Sequence, residues 1–217
     1  MRLSTDGKFY ELEQLVRANC QDCVGCHDCC VGMGDTILLD PYDVWMLKRA
    51  VSLSMQEMLS RGLIALKVAD GLVLPYIQMN SKTDECPFLN VEKRCSIHAN
   101  RPGMCRLFPL GRNYEDAKLN YILLTEACRK KNRSKIKVGQ WIGIQPERAY
   151  HDYVLAWHGF RKYISKLCEE AAEEEMKKLA MYVLQEFYIS FQAPEDVFFD
   201  RIIQKLEHVE KTLGVKE

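Results

Sequence analysis

The last third of the chain carries apolar residues at helical spacing. One amphipathic stretch starts near Pro146, the pattern continues through residues 169–191, and a dense apolar stripe follows Pro194. Two glutamate–lysine pairs with the favourable i,i+4 order lie in the middle stretch: Glu173–Lys177 and Glu174–Lys178. Aromatic stripes of this kind are typical of a packed core, so we predict helices that pack through these faces.

Helical patterns in the first part of the chain are shorter. Residues 8–18 place apolar side chains at helical spacing and predict a short helix. Asp40–Pro41 is typical of an N-cap followed by proline at the first helical position, and it predicts a helix to about Ala50. The capping-box pattern of Ser54 and Glu57 predicts another short helix directly afterwards.

The same part of the chain also predicts strands. Residues 36–39 and 118–125 each read as a strand, and residues 64–79 read as two strands joined by Asp70–Gly71, a strong signal for a two-residue hairpin. The intervening residues 80–113 are expected to be irregular. We therefore predict an α+β, mainly helical fold with a small β-hairpin.

Composition and charge exclude several classes of function. Of the 217 residues, 47% are hydrophobic and 28% are charged, and 30 basic side chains balance 30 acidic ones. A neutral chain creates no global field toward nucleic acid or an anionic membrane, so we expect neither partner. There is no run of eighteen apolar residues to span a bilayer, and the N-terminus lacks the apolar stretch of a signal peptide. We expect a cytoplasmic protein.

Charge is unevenly distributed along the chain. Residues 129–137 carry six basic side chains, which we interpret as a solvated connector, with a small anion or partner patch as the alternative. Residues 138–217 contain ten basic and fourteen acidic residues but a single cysteine. We predict a cysteine-cluster domain over residues 1–137 and a helical extension packed on it over residues 138–217.

Cysteine usage is the strongest chemical signal in the sequence. Five of the ten cysteines lie within residues 20–30, among small and polar neighbours that do not form a buried apolar core. Disulfides are not expected in the cytoplasm, where thiols are kept reduced. Clustered thiols in a reducing compartment indicate metal binding, whereas the isolated Cys168 is interpreted as a buried structural thiol.

The spacing leaves the identity of the metal open. Residues 20–29 carry cysteines at every third position, a spacing that bacterial ferredoxin loops also use for iron–sulfur clusters. Zinc sites with four cysteines typically pair two CxxC turns, and the adjacent Cys29 and Cys30 fit a single zinc ion poorly. A polynuclear centre accommodates neighbouring thiolates more readily. Thiol–disulfide redox chemistry is a further alternative, although the βαβ context of a thioredoxin-like CxxC pair is missing.

Several short motifs occur in a distinctive order. They are CVGCHDCC (residues 23–30), CPFL (86–89), CSIH (95–98) and RPGMCRLFP (101–109). Together they resemble the cysteine-cluster family named for its CxxCxxCC motif and described as zinc- or iron-chelating. The resemblance implies eight metal ligands: Cys23, Cys26, Cys29, Cys30, Cys86, Cys95, Cys105 and Cys128.

The resemblance also bears on residues around the cysteines. This chain has His98 where the family pattern leads us to expect tyrosine, and it offers His27 inside the cysteine run as a hydrogen-bond partner for a thiolate or as a further ligand. Arg101 and Arg106 flank Cys105, where they would offset thiolate charge or be ordinary surface residues.

The functional expectation is a metal-binding protein that holds an iron–sulfur cluster, of the 4Fe–4S type, for electron transfer or a cluster-dependent reaction. It would act with a protein redox partner or protein substrate. A zinc-stabilised binding or adaptor module is the main alternative. Flagellin lysine methylases are similar in the cysteine region, which implies a methyltransferase using S-adenosylmethionine, but the sequence has no glycine-rich loop for that cofactor.

Overall fold

The computed structural model describes residues 4–20, 26–130 and 132–214, and within these ranges the chain is α+β. Its strands are β1 (Leu15–Asn19), β2 (Ile64–Ala69), β3 (Leu72–Ile77), β4 (Leu110–Glu115), β5 (Lys118–Leu123) and β6 (Ser134–Lys137). Its α-helices are α1 (Pro41–Val51), α2 (Met55–Ser60), α3 (Gly103–Leu107), α4 (Val138–Ile142), α5 (Glu147–Glu170), α6 (Glu173–Leu184) and α7 (Phe198–Thr212). No helix in these ranges is both long enough and apolar enough to cross a membrane.

The strands form three two-stranded sheets, β1–β6, β2–β3 and β4–β5. Strand β1 pairs antiparallel with β6, and Leu15 lies opposite Lys137 and Asn19 opposite Ser134. This pairing joins segments that are far apart in the sequence. It also makes residues 134–137, at the end of the basic run, part of a sheet.

The helix predicted over residues 8–18 is wrong. Its C-terminal part is strand β1, in which Val16 and Ala18 are buried while Leu15 is 55% exposed. Phe9, which the helical pattern placed on the apolar face, is 57% exposed. Pairing with a distant strand overrides the local pattern here, because a short segment has too few residues to distinguish the two periods.

The predicted starts of α1 and α2 are confirmed. The Asp40 carboxylate accepts a hydrogen bond from the Asp43 N–H at 2.9 Å, and the Asp43 carboxylate accepts one from the Asp40 N–H at 3.1 Å. Ser54 and Glu57 form the same reciprocal pair at the start of α2. Both boxes satisfy backbone donors that a helix N-terminus leaves unpaired.

The hairpin predicted at Asp70–Gly71 is confirmed as β2–β3, and both turn residues have positive φ, 53° and 74°. The strand predicted at residues 36–39 is reduced to a bridge between Leu38 and Tyr76 of β3. The strand predicted at residues 118–125 is confirmed as β5.

Residues 80–113 are less irregular than predicted, because they contain α3 and the beginning of β4. Strand β4 pairs with β5 across Asp116 and Ala117, which adopt φ values of 49° and 56°. This turn contains no glycine, the residue usually found at positive φ, so its residue pattern did not indicate a hairpin.

The helices after Pro146 follow the predicted pattern with one correction. Helix α5 begins at Glu147 and α7 at Phe198, and the predicted ion pair between Lys177 and Glu173 forms at 2.6 Å. Residues 169–191 are not one helix, however. The chain is extended at Ala171 and Ala172, and a π turn follows α6.

The chain divides into two compact units. The cysteine unit comprises residues 1–67, 74–113 and 120–143, and the helical unit comprises residues 68–73, 114–119 and 144–217. The division predicted after residue 137 stays a prediction about separately folding domains.

Each unit has its own buried side chains. In the cysteine unit they are mainly aliphatic, and include Val16, Ile37, Leu39, Leu47, Met58 and Ile64. In the helical unit they are mainly aromatic, and include Tyr150, Tyr153, Phe160, Phe187, Tyr188 and Phe198.

Candidate metal centre

Six thiols line one cavity of about 40 Å³ in the cysteine unit. They belong to Cys26, Cys29, Cys30, Cys86, Cys95 and Cys105. The rest of the wall combines apolar side chains (Ile37, Ile77, Phe88, Ile97 and Pro102) with His27, His98, Arg94 and Arg101. We call it the thiol cavity. The structure thus brings together six of the eight cysteines predicted as ligands, although they are spread over three segments of the sequence.

A single 3₁₀ turn, Asp28–Cys30, presents the adjacent pair of thiols. The Cys30 N–H donates to the His27 carbonyl at 2.8 Å and closes the turn. The Cys29 and Cys30 sulfurs lie 4.0 Å apart, and both residues line the thiol cavity. Both thiols therefore face the cavity, which is the arrangement that a polynuclear centre needs.

The second cysteine segment is hydrogen-bonded directly to the first. The Cys86 N–H donates to the Cys30 carbonyl at 2.8 Å, and the Gly32 N–H donates to the Asp84 carbonyl at 2.9 Å. Between these two bonds, Val31 and Glu85 form an antiparallel bridge. These backbone hydrogen bonds hold Cys86 beside the 3₁₀ turn.

A tight loop brings Cys95 close to Cys86. Leu89 bridges to Cys95, and the Ser96 N–H donates to the Phe88 carbonyl at 2.8 Å. The Asn90 side chain closes the loop by accepting the Arg94 N–H at 2.8 Å.

Backbone N–H groups point at three of the sulfurs. The N–H of Asp28 donates to the Cys26 thiol, that of Phe88 to Cys86, and that of Ile97 to Cys95. In each case the donor lies two residues after the cysteine. Hydrogen bonds of this kind stabilise thiolate ligands and tune the potential of iron–sulfur clusters, so the loops are already arranged for charged sulfur.

Helix α3 contributes Cys105 and begins at a buried carboxylate. The Gly103 N–H donates to the Asp43 carboxylate at 2.7 Å, so Asp43 caps α3 as well as α1. Burial and the neighbouring Asp40 raise the pKa of Asp43 to about 8. Sequence reasoning missed this link. The position of Asp43 in the capping box of α1 did not indicate a partner in α3, which lies 60 residues further along the chain.

Five of the six cavity thiols have raised pKa values: Cys26, Cys29, Cys86, Cys95 and Cys105. The hydrogen bond with Cys30, together with burial, raises the pKa of Cys29, and burial raises the pKa of Cys86 to about 11. Burial raises the pKa of Cys95 as well, while the Ile97 N–H and the positive charge of Arg101 oppose that rise. A bound cation reverses this balance by favouring the thiolates, so metal binding releases protons.

The two arginines that flank Cys105 have different roles. Arg101 lines the thiol cavity, and its charge opposes the rise in the pKa of both Cys29 and Cys95. Arg106 is only 7% exposed and donates to the carbonyls of Ala99 and Arg101. The charge of Arg101 therefore favours the thiolate form of two cavity cysteines, whereas Arg106 holds the backbone that carries Arg101.

The other cysteines do not line the cavity among the described residues. Cys128 is buried close enough to Cys26 to raise the pKa of that thiol, and Arg129 pairs with Asp28 at 3.4 Å. Cys168 is buried in the helical unit, with its sulfur 3.8 Å from the Gly71 carbonyl. The predicted ligand Cys23 lies outside the described residues.

The donor set suits a thiolate-binding metal by its chemistry. Sulfur ligands select zinc and iron–sulfur clusters, and six of them face one space whose N–H groups already stabilise charged sulfur. Within the described residues, however, no three His, Cys, Asp or Glu side chains form a group that could hold an ion as they stand.

Comparison with known proteins gives one match. Residues 22–133, just over half of the chain, match the family model CxxCxxCC, described as "Putative zinc- or iron-chelating domain". The matched range contains every thiol that lines the cavity. No curated protein and no solved structure matches the chain.

Proposed function

Because the chain belongs to the CxxCxxCC family of zinc- or iron-chelating domains, we propose that its thiol cavity holds an iron–sulfur cluster. The cluster serves electron transfer to a protein partner or a reaction on a protein substrate, in the cytoplasm. The observation that carries this proposal is the number of thiols. Six line one cavity, whereas a mononuclear structural zinc ion takes four ligands.

Residues of the thiol cavity provide both the ligands and the surroundings that an iron–sulfur cluster requires. The ligands we propose are the adjacent thiols of Cys29 and Cys30, together with those of Cys86 and Cys95 in the same cavity. An iron–sulfur cluster supplies one-electron chemistry when bound. Arg101 offsets its negative charge, and the N–H donors of Phe88 and Ile97 adjust its potential.

Zinc is the second candidate, and the size of the cavity favours it. A volume of about 40 Å³ corresponds to a few water molecules, since one water needs roughly 10–15 Å³ on this measure. A 4Fe–4S cluster has eight heavy atoms and requires more space. In this second proposal the cysteines bind a structural zinc ion, and the protein is a zinc-stabilised binding or adaptor module.

Metal analysis separates the two proposals. The full chain is purified without oxygen, and iron, zinc and acid-labile sulfide are measured per chain together with the visible spectrum. Iron with matching sulfide and visible absorption that oxygen bleaches would support the cluster. Stoichiometric zinc in a colourless protein would overturn it in favour of the binding module. Absence of both metals from Cys105→Ser but not from Cys168→Ser would assign the metal to the thiol cavity in either case.

A further inference from the structure

Strand β2 (Ile64–Ala69) pairs with β3 along one of its two edges. The far side of β3 is covered, because the Leu39 N–H donates to the Pro75 carbonyl at 2.9 Å. The Ile77 N–H likewise donates to the Ile37 carbonyl at 3.0 Å. Along the outer edge of β2, by contrast, the described part of the chain provides no backbone partner. We call this the open edge, and its N–H and C=O groups can pair with another strand.

The side chains exposed on β2 are apolar. Leu66 is 38% exposed and Val68 is 75% exposed, and they lie on the same face of the strand because they are two residues apart. The one charged residue of β2, Lys67, lies on the other face, since side chains alternate along a strand. On that face it pairs with Asp35 at 3.0 Å. Its charge is therefore directed away from Leu66 and Val68.

The composition of β2 does not protect the open edge. Sheet edges that stay unpaired in soluble proteins usually carry exposed charges or proline, which prevent the addition of another strand. Strand β2 contains no proline, and its single charge is held by Asp35 on the other face. An exposed apolar strand with an open edge favours pairing with a second strand.

The charges at the two ends of β2 indicate which strand would pair with it. Arg61 lies three residues before the strand and is exposed, whereas Asp70 directly follows it and is 54% exposed while paired with Arg161. When two copies of β2 pair antiparallel, the basic end of each strand lies beside the acidic end of the other. Glu57 and Arg161 offset part of these charges, so the ends set the orientation more than the affinity. Strand β2 is therefore complementary to a second copy of itself.

We propose that two copies of this chain form a dimer through antiparallel pairing of their β2 strands. The two β2–β3 hairpins then form one four-stranded sheet, in which Leu66 and Val68 of both copies form a single apolar patch. Pairing of identical strands about a twofold axis closes the assembly at two copies. A strand of six residues buries little surface for a protein interface, so the dimer is weak and depends on concentration. The dimer does not depend on which metal the thiol cavity holds.

Sedimentation equilibrium of the full-length, metal-loaded chain over a hundredfold range of concentration tests the proposal. A reversible equilibrium between monomer and dimer is expected. Hydrogen exchange at the two ends of that range, followed by mass spectrometry, should show slower exchange of residues 64–69 in the dimer. A chain that stays monomeric at every concentration would overturn the proposal and leave the open edge to a strand of another protein. A dimer with unchanged exchange in residues 64–69 would overturn it in favour of another interface.

Substitution of Val68 locates the interface. Val68→Lys replaces an apolar contact with a cation in each copy and should weaken dimer formation at least tenfold, and the fold should tolerate it because Val68 is 75% exposed. Val91→Lys is the matched control, since Val91 is 98% exposed, lies outside β2 and should leave the dimer unchanged. Arg61→Glu reverses the charge at one end of the strand and should weaken the dimer about two- to threefold. Metal content is measured in each variant. Equal dimer formation by Val68→Lys and the wild type would overturn the proposal.

Discussion

The two units of this protein are held together by different interactions. Around the thiol cavity, polar turns, short loops and a five-residue helix hold six sulfurs, and backbone hydrogen bonds do most of the positioning. The helical unit relies on aromatic packing, with the rings of Phe160 and Phe187 5.1 Å apart and those of Tyr153 and Phe198 6.2 Å apart. Metal binding would stabilise the folded cysteine unit, because site formation and folding are coupled. The helical unit is stabilised by burial of its apolar side chains.

The contrast between the two units indicates that the function lies in the cysteine unit. Six thiols around one small cavity form a donor set for a thiolate-binding metal, so we expect the function there. The aromatic side chains of the helical unit pack against one another. Their substitution should therefore change the free energy of unfolding without changing metal content. Substitutions in each unit test whether metal binding and apolar packing are separated in this way.

Loss of one cavity thiol should have the largest effect. Cys105→Ser is expected to lose bound metal and to lower the free energy of unfolding by about 4 kcal/mol or more, because metal binding and folding of the site are coupled. Metal analysis and urea denaturation measure the two effects. Cys168→Ser makes the same chemical change in the helical unit and should keep full metal content. Loss of metal from the Cys168 variant would contradict our assignment of the site.

Removal of an aromatic ring from the helical unit should give the converse result. Phe198 is fully buried against neighbouring rings, so Phe198→Ala should lower the free energy of unfolding by about 3–5 kcal/mol. Bound metal per folded chain should not change. Phe9→Ala removes an equally large but 57% exposed ring and should cost less than about 0.5 kcal/mol. A Phe198 variant that folds but lacks metal would show that metal binding also depends on the helical unit.

The buried carboxylate of Asp43 should make stability depend on pH. Its pKa is raised from 3.8 to about 8, so the folded state holds a proton that the unfolded state loses above about pH 4. This contribution is fully present below pH 4 and is lost as pH rises to about 8. Asp43→Asn cannot titrate and should remove this pH dependence of the free energy of unfolding.

Denaturation of wild type and Asp43→Asn between pH 5 and 8, in the same metal state, measures that effect as the difference between the two curves. Comparison at equal metal loading cancels the separate pH dependence of the thiols. Parallel curves would show that Asp43 stays ionised and acts only as a helix cap.

A surface ion pair should contribute least. Lys177 and Glu173 pair at 2.6 Å on an exposed face of α6, so Lys177→Ala should cost only about 0.2–0.5 kcal/mol, less at high salt. Lys162→Ala, at an exposed position on α5 for which the described residues provide no ion pair, serves as the control. An effect above 1 kcal/mol would mean that surface charge contributes more to the helical unit than its aromatic core implies.

Local signals predicted much of this structure, and distant pairings account for what they missed. The capping box at Ser54 and the turn at Asp70–Gly71 were readable because a few adjacent residues determine each of them. Strand β1 was predicted as a helix because its partner, β6, lies at the other end of the cysteine unit's sequence. The link from Asp43 to Gly103 was invisible for the same reason.

The residue types and spacing of the cysteines were enough to indicate a metal-binding protein, because they carry that chemistry directly. Which thiols share a cavity, and that Cys29, Cys30 and Arg101 all line it, became clear only from the folded chain. The physical reason is that ligand spacing is a local property of the chain. Convergence of distant segments depends on backbone hydrogen bonds and buried charges that no single segment contains.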